Sequence, residues 1–331
     1  MKHLTVKQRY QIEVLYAQYP RVTQKQISKQ LGITESQLSR ELKRNKMQNG
    51  KYKAENAQQY TDFRHHTKPK KKRLTPQLKL QIEQLLQQDL SPEQISCRLA
   101  LEGHQTVSHE TIYLYIWQDK KQQGNLYQYL ARKQRCRRKR GKKNDERGHI
   151  PNKTSIEQRP QEANDRVRFG DFEQDTIIGA NHKGAILTLV DRKTLFTKLV
   201  LLQGKNAEQQ SVETIKTLNH FKPYLHTITS DNGKEFSLHQ HIAQQLEINY
   251  FFTHPYSSYE CGTVENTNGL IRRYIPKKSS FENLTQQTLD IIEHKLNNRP
   301  RKKLGFYTPN EILNAIFNND KLILNKIAFI T

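Results

Sequence analysis

The sequence has few cysteines and no long apolar segment. Its cysteines, Cys97, Cys136 and Cys261, lie far apart and form no C-x-x-C pair, which argues against a disulfide framework and a zinc finger. No apolar run approaches the roughly 18 residues needed to cross a bilayer, and residues 1–10 lack the apolar stretch of a secretory signal. We therefore expect a soluble, cytoplasmic protein that has no membrane partner.

Acidic residues are scarce in the first half of the chain. The 331 residues carry 55 Lys and Arg against 32 Asp and Glu, a formal net charge of +23. Residues 1–170 hold 36 of the basic and 16 of the acidic side chains, so this half alone has a net charge of +20. The asymmetry favours a polyanionic partner, most simply nucleic acid. A membrane surface fits less well, because no helix pairs its basic residues with a continuous apolar face.

Residues 1–62 are predicted to form three short helices that include a helix-turn-helix. Capping-box patterns at residues 23–26 and 34–37 begin the second and third helices, and Gly32 allows the left-handed turn between them. The outward residues of the third helix are of the types that bind base edges and phosphates: Ser36, Gln37, Ser39, Arg40, Lys43 and Arg44. A solvated polar face is the alternative interpretation of these side chains.

A similar plan recurs in residues 74–130, which we predict to be a second helix-turn-helix domain. Residues 91–94 combine an N-cap, a proline at the first helical position and a glutamine that closes a capping box. Ser108 then begins a third helix, on which His109 is available for a DNA contact. Two such units in tandem are less expected by chance than one.

Basic linkers are predicted at residues 63–73 and 131–165, because blocks of like charge repel themselves and stay extended. In the second linker, the run 132–143 supplies candidate contacts to DNA phosphates: Arg132, Arg137, Arg138 and Arg140. A flexible or solubilising linker is the alternative.

Residues 166–331 change to a pattern typical of a mixed α/β domain with helices at its C-terminal end. Three β-rich stretches separated by short polar turns predict an antiparallel meander; they are residues 169–179, 185–191 and 195–202. Helix and strand then alternate: helices are predicted at 206–221 and 237–246, strands at 225–229 and 249–252, and a last helix at 260–274.

Three carboxylates in this half occupy positions suited to metal chemistry. Asp175 lies inside the first strand, Asp231 ends the fourth strand, and Glu265 lies on the last predicted helix. Divalent metal ions that act in phosphoryl chemistry need oxygen ligands that converge from several elements. Each residue also has a plainer interpretation, as an edge-strand residue, a turn residue and a surface residue, and spacing alone does not establish convergence.

The sequence motifs around these carboxylates, and the spacing between them, resemble those of the DDE transposase and retroviral-integrase superfamily. The resemblance is strongest to the insertion-sequence-thirty family of bacterial transposases. Residues 169–179, 230–236 and 252–273 are similar to the blocks around the family's two aspartates and its glutamate, and 33 residues lie between Asp231 and Glu265. Further similar blocks are residues 91–95, 108–113, 147–152 and 296–301. Phe172, Asp171 and Cys261 depart from the family's usual Trp, His and Arg.

The resemblance implies a ribonuclease-H-like catalytic domain preceded by all-α helix-turn-helix units. It assigns Asp175, Asp231 and Glu265 to catalysis and to binding two Mg²⁺ or Mn²⁺ ions, and Arg272 to DNA contact near the metal site. It also implies binding to the terminal inverted repeats of an insertion sequence, followed by DNA cleavage and strand transfer. Double-stranded DNA would be the partner, and joining two ends implies at least a homodimer that associates with the bacterial nucleoid.

Two other functions remain open at this point. A DNA-binding regulator or domesticated protein would carry an integrase-like domain without activity, and a stand-alone ribonuclease-H-like nuclease would need no specific DNA ends. The acidic residues near the predicted site, Asp171, Glu173, Asp191 and Glu235, are assigned no catalytic role.

Overall fold

The protein is described by a computed structural model over residues 4–18, 20–67, 74–130, 150–255 and 257–328. It divides into two compact units, Met1–Arg73 and Leu74–Thr331. The described residues of the first unit form helices α1 (Val6–Tyr16), α2 (Gln24–Leu31), α3 (Glu35–Asn45) and α4 (Ala54–Thr67). Their shared core consists of Ile12, Ile27, Leu38, Leu42, Tyr52 and Ala57.

The two predicted capping boxes are confirmed. Thr23 and Thr34 each accept a hydrogen bond from the backbone three residues later, while Gln26 and Gln37 reach back to the N-cap backbone. Gly32 ends α2 in the left-handed conformation, with φ of 63°. These local signals set the turn between α2 and α3, because they satisfy the backbone groups that helix ends leave unpaired.

The sequence predicts three short helices in residues 1–62, and the structure adds a fourth, α4. Its sequence has no clear apolar period, and tertiary contacts hold it instead: Glu13 Oε2 accepts from the Ala54 backbone N at 2.8 Å, and Arg64 donates to the Asn45 side chain. Since α4 extends to Thr67, residues 63–67 of the predicted basic linker are helical rather than extended. The remaining linker residues, 68–73, lie outside the described residues.

The second unit begins with a helical segment, residues 74–130, which contains α5 (Pro76–Gln87), α6 (Pro92–Leu101) and α7 (His109–Lys121). Thr75, Ser91 and Ser108 cap the three helices through their hydroxyl groups, as the sequence predicts for Ser91 and Ser108. The segment has its own apolar core, formed by residues that include Ile82, Leu86, Ile95, Leu99, Ile112 and Ile116.

A five-stranded mixed sheet follows in the described part of the second unit, with strand order β3-β2-β1-β4-β5. The strands are β1 (Asp171–Ile178), β2 (Ala185–Asp191), β3 (Thr197–Leu202), β4 (Thr227–Ser230) and β5 (Asn249–Phe252). The first three pair antiparallel, which confirms the predicted meander, and β4 and β5 run parallel to β1. Short α8 (Gln161–Asn164) precedes the sheet, while α9 (Ala207–Leu218) and α10 (His239–Leu246) form the crossovers.

Helices cover both faces of this sheet. Alternate residues of a strand face opposite sides, so Leu187 packs with α9 and α10, whereas Ile186 packs on the other face. That second face is covered by α11 (Gly262–Ile271) and α12 (Gln286–Asn297), which α13 (Pro309–Phe317) and α14 (Lys321–Ala328) follow. The mixed α/β class is thus confirmed. None of the helices in the described ranges combines the length and apolar character needed to cross a bilayer.

Polar contacts join the helical segment to the C-terminal part of the same unit. Arg98 donates to both carboxylate oxygens of Glu311, at 2.8 and 2.6 Å. Gln94 Nε2 donates to the Pro300 carbonyl at 2.6 Å, and Tyr274 Oη donates to Asp89 Oδ2 at 3.1 Å. Residues 89–98 therefore attach the helical segment to the α/β part of the unit.

Gly170 marks the entry to β1 and has a backbone conformation that other residues rarely adopt, with φ of 104°. Its N–H donates to Asp191 Oδ2 at 2.9 Å, and its carbonyl accepts from the His226 backbone N at 2.9 Å. A Cβ at this position would lie 1.8 Å from the Tyr224 carbonyl oxygen. Only glycine therefore fits where β1 begins beside β4.

Candidate active site

Asp175 and Asp231 are neighbours at the same edge of the sheet. In the parallel pair β1–β4, Gln174 lies opposite Ser230, so the two aspartates follow at the next position on each strand. The Asp231 carboxylate turns back onto its own loop, where its Oδ1 accepts from the Gly233 backbone N at 3.0 Å. The parallel pairing thus brings the middle of β1 beside the carboxyl end of β4, and with it two of the predicted carboxylates together.

The Asp175 carboxyl is held by two donors. Oδ1 accepts from the Thr176 backbone N and Oδ2 accepts from Asn268 Nδ2, both at 2.7 Å. Although part of the residue reaches solvent, burial of the carboxyl and then the negative charge of Asp231 raise its pKa to about 7. The two aspartates thus hold negative charge close together, a condition that a bound cation would relieve.

Glu265 is exposed on α11. Asn268, three residues later and hence on the same side of the helix, reaches Asp175. Among the described residues, no group of three His, Cys, Asp or Glu side chains is arranged to hold a metal ion. The structure thus brings Asp175 and Asp231 together and leaves Glu265 on the adjoining helix.

Two further charged groups border the aspartates. Glu235 accepts from Thr176 Oγ1 at 2.6 Å and from Lys205 Nζ at 2.7 Å. Burial raises the pKa of Glu235, but the hydrogen bonds from Lys205 and Thr176 outweigh it, so the net shift is downward. Lys205 is half-exposed and is a cation at the rim of this site that sequence reasoning missed, since its loop carries no recognisable pattern.

Arg272 ends α11 and folds back onto backbone carbonyls. Its guanidinium donates to the Pro276 carbonyl at 3.2 Å and to the Ile178 carbonyl at 3.5 Å. Partial burial lowers its pKa. The side chain therefore lies near the end of β1, on the helix that carries Glu265.

Most predicted DNA-contact residues of α3 are exposed: Ser36, Ser39, Arg40, Lys43 and Arg44. Gln37 is half-buried, and its Oε1 accepts from the Thr34 backbone N at 3.0 Å, so its amide serves the capping box. Arg40 Nε donates to the Ser36 carbonyl at 2.9 Å. His109 is exposed at the first position of α7. Arg132, Arg137, Arg138 and Arg140 lie outside the described residues.

Solved structures that resemble the chain include two retroviral integrases. The catalytic core domain of BIV integrase aligns with 46% of this chain and 98% of its own, at a TM-score of 0.36 and 19% identity. A chain of the simian T-cell lymphotropic virus intasome aligns with 42% of this chain and 52% of its own, at a TM-score of 0.35 and 18% identity. Both likenesses are weak and concern the fold alone.

Sequence relatives give a firmer result, although no protein-family model matches the chain. The chain is 47% identical over 329 residues to the transposase for insertion sequence element IS4351 of Bacteroides fragilis, with 99% of each covered. It is 34% identical to the transposase for IS1086 of Cupriavidus metallidurans, with 96% of each covered. It is also 34% identical to transposase InsI for IS30A of Escherichia coli, covering 94% of this chain and 83% of that protein. The chain therefore belongs to the IS30 family of insertion-sequence transposases.

Proposed function

We propose that this protein binds the terminal inverted repeats of an insertion sequence and catalyses metal-dependent DNA cleavage and strand transfer. The observation that carries the proposal is the proximity of Asp175, inside β1, to Asp231, which directly follows β4. Membership of a transposase family supports it. The catalytic domain, residues 166–331, would have the ribonuclease-H-like fold.

Asp175 and Asp231 would hold the divalent ions, Mg²⁺ or Mn²⁺, and Glu265 would complete the set of oxygen ligands. Two bound ions supply activation of the attacking oxygen and charge stabilisation of the leaving one. Asn268 orients the Asp175 carboxylate by its 2.7 Å hydrogen bond. Lys205, 42% exposed in its side chain, is placed to attract a DNA phosphate towards the aspartates.

The helical parts would provide DNA recognition. In this proposal α2 and α3 form one helix-turn-helix within residues 1–62, and α6 and α7 form another within residues 74–130. The exposed side chains of α3 would face the major groove, and the basic runs would follow phosphates. Cleavage at two ends would require at least a homodimer on DNA, in a cytoplasmic protein associated with the nucleoid.

The decisive experiment is incubation of the protein with DNA that carries candidate element ends, with and without Mg²⁺, and mapping of cut and joined strands. The proposal expects cuts at the ends and joined products only with the metal ion. Binding to the ends without metal-dependent cuts would instead identify a regulator. Cuts that need no element ends would identify a stand-alone nuclease.

Replacing Arg40 with alanine is expected to relax sequence preference. If Arg40 reads a base edge, its loss costs about 1–3 kcal/mol of discrimination at one position, whereas affinity for unrelated DNA changes little. Competition binding with variant inverted repeats measures this. Lys7→Ala, which removes another exposed cation from α1, is the control and should leave preference unchanged. Equal loss of affinity for all sequences in Arg40→Ala would show a phosphate contact instead.

Neutralising Arg137 and Arg138 together is expected to weaken binding to every duplex and to flatten its salt dependence. Each lost phosphate contact lowers the slope of log affinity against log salt by about 0.9. Titrations of binding at several salt concentrations measure the slope. An unchanged slope in the double variant contradicts the phosphate-tracking role of the basic run.

A further inference from the structure

Glu173 connects β1 to the helix that carries Glu265. Its side chain is fully buried, and its Oε2 accepts from the backbone N–H groups of Thr263 at 2.8 Å and Val264 at 2.9 Å. Both donors belong to the first turn of α11. We infer that Glu173 is a positioning residue that fixes α11 against β1 and so sets the position of Glu265 relative to the aspartates. This inference rests on the proposed function.

The first turn of α11 has no local cap. Helices leave their first N–H groups without intrahelical partners, and a side chain at the N-cap usually satisfies one of them. Here Cys261 holds that position, and no side-chain cap hydrogen bond is formed there. Glu173 supplies the acceptor from a different element, and its negative charge also suits the positive end of the helix dipole.

A second tie fixes the same helix on the other side of Glu265. Asn268 Nδ2 donates to Asp175 Oδ2 at 2.7 Å, while Glu173 binds the helix at residues 263 and 264. Glu173 and Asp175 are two positions apart on β1 and face the same side of the sheet. Glu265 therefore lies between two attachment points, which limit both sliding and rotation of α11 along β1.

The Glu173 carboxylate that caps α11 also forms an ion pair. Arg192, at the end of β2, donates to Glu173 Oε1 and to the Ala163 carbonyl, the latter at 2.9 Å. Both side chains are nearly inaccessible to solvent, 0% exposed for Glu173 and 5% for Arg192. Both oxygens of this buried carboxylate have donors, one guanidinium on Oε1 and two N–H groups on Oε2, which makes it a rigid anchor.

Asp171 provides a matched comparison on the same strand. It is also fully buried, pairs with Arg168 at 3.0 Å, and accepts from Thr227 Oγ1 at 2.7 Å. These contacts hold β1 to the residues just before it and to β4, not to α11. Loss of either carboxylate should weaken the domain, but only the loss of Glu173 should release the helix.

Hydrogen exchange of metal-free protein tests the cap directly. In Glu173→Gln, the amides of residues 262–271 should exchange at least about 10-fold faster than in the wild type, because the neutral amide keeps one acceptor oxygen, for which Arg192 and the α11 N–H groups compete. In Asp171→Asn, exchange in this segment should keep its wild-type rate. Equal rates in wild type and Glu173→Gln, or equal acceleration in both variants, would overturn the inference.

The Mg²⁺ dependence of the Glu173 variant distinguishes a positioning role of Glu173 from a purely stabilising one. Two Mg²⁺ concentrations are measured: the one that gives half-maximal nicking and the one that gives half of the Mg²⁺-induced rise in Tm. In Glu173→Gln, both should increase by about 10-fold or more. Asp171→Asn should lower the amount of active protein without moving either concentration. Accelerated exchange with unchanged Mg²⁺ dependence would overturn the positioning role.

A paired variant covers the case in which Glu173→Gln fails to fold. Glu173→Met with Arg192→Met removes both buried charges, so no ion is left unpaired, yet it still removes the acceptor from α11. Exchange in residues 262–271 should accelerate there as well, and wild-type exchange would refute the cap. Absence of nicking in the wild type would refute the proposed function, while the exchange measurement would still decide whether Glu173 caps α11.

Discussion

Replacement of Asp175 with asparagine is expected to abolish cleavage and strand transfer while leaving binding to inverted repeats intact. Asparagine keeps the size of the side chain but removes the negative charge that would hold the metal ions between β1 and β4. Charge stabilisation of that kind is worth several kcal/mol, so the rate should fall by at least about a thousandfold. Gel-shift and strand-transfer assays on the same DNA measure both properties.

Asp290→Asn is a suitable control, since it removes an exposed carboxylate from α12 in the same unit. It should retain activity within about twofold of the wild type. Strand transfer by Asp175→Asn in Mg²⁺ at a wild-type rate would refute the catalytic assignment. Loss of DNA binding in that variant would show that its inactivity has another origin.

The same substitution should stabilise the metal-free protein at alkaline pH. The pKa of Asp175 is about 7 in the folded chain against 3.8 for the ordinary carboxyl, so the folded state binds its proton more tightly than the unfolded state. Stability contributed by this group is therefore present at low pH and is lost as the pH rises to 7. Tm values in EDTA should favour Asp175→Asn over wild type more at pH 8 than at pH 5.

Replacement of Gly170 with alanine is expected to lower the free energy of unfolding of the second unit by at least about 3 kcal/mol. The added Cβ would lie 1.8 Å from the Tyr224 carbonyl oxygen, and the φ of 104° is itself unfavourable for alanine. Movement of the chain to relieve the clash would disturb the β1–β4 pairing that aligns the aspartates. Denaturant titration followed by far-UV circular dichroism and by Trp117 fluorescence measures the loss.

Gly269→Ala is the matched control for this experiment. Gly269 lies within α11, where a Cβ meets no atom within 4 Å. Alanine should therefore stabilise the helix by about 0.5–1 kcal/mol, through its better helix propensity. A loss below about 1 kcal/mol in Gly170→Ala would mean that the Tyr224 backbone moves aside at little cost.

Much of the fold is predictable because local signals and tertiary structure agree. The capping boxes at Thr23, Thr34 and Ser91 place helix starts correctly, and the β-rich stretches match β1, β2 and β3. Helix α4 is not predictable in the same way. The first residue of α4 is bound by Glu13, which is distant in sequence, so no local sequence pattern predicts the helix.

The site is predictable only in part, for a related reason. Motif resemblance selects Asp175, Asp231 and Glu265, and the register of β1 with β4 explains why the two aspartates meet. Asn268 lies at helical spacing from Glu265, whereas Lys205 and the cap at Glu173 depend on contacts between residues 30 to 91 positions apart. Such contacts arise from the folded topology, which a single sequence does not display.

The polar contacts that attach residues 74–130 to the rest of the second unit have a consequence for how insertion sequences of this family diversify. The contacts through Asp89, Gln94 and Arg98 precede α7, whose outward residues include His109 and Tyr113. Substitutions on that outer surface can accumulate without disturbing the attachment. Under the proposed function, drift on α7 would therefore alter which terminal repeats are recognised while the residues around Asp175 and Asp231 stay unchanged.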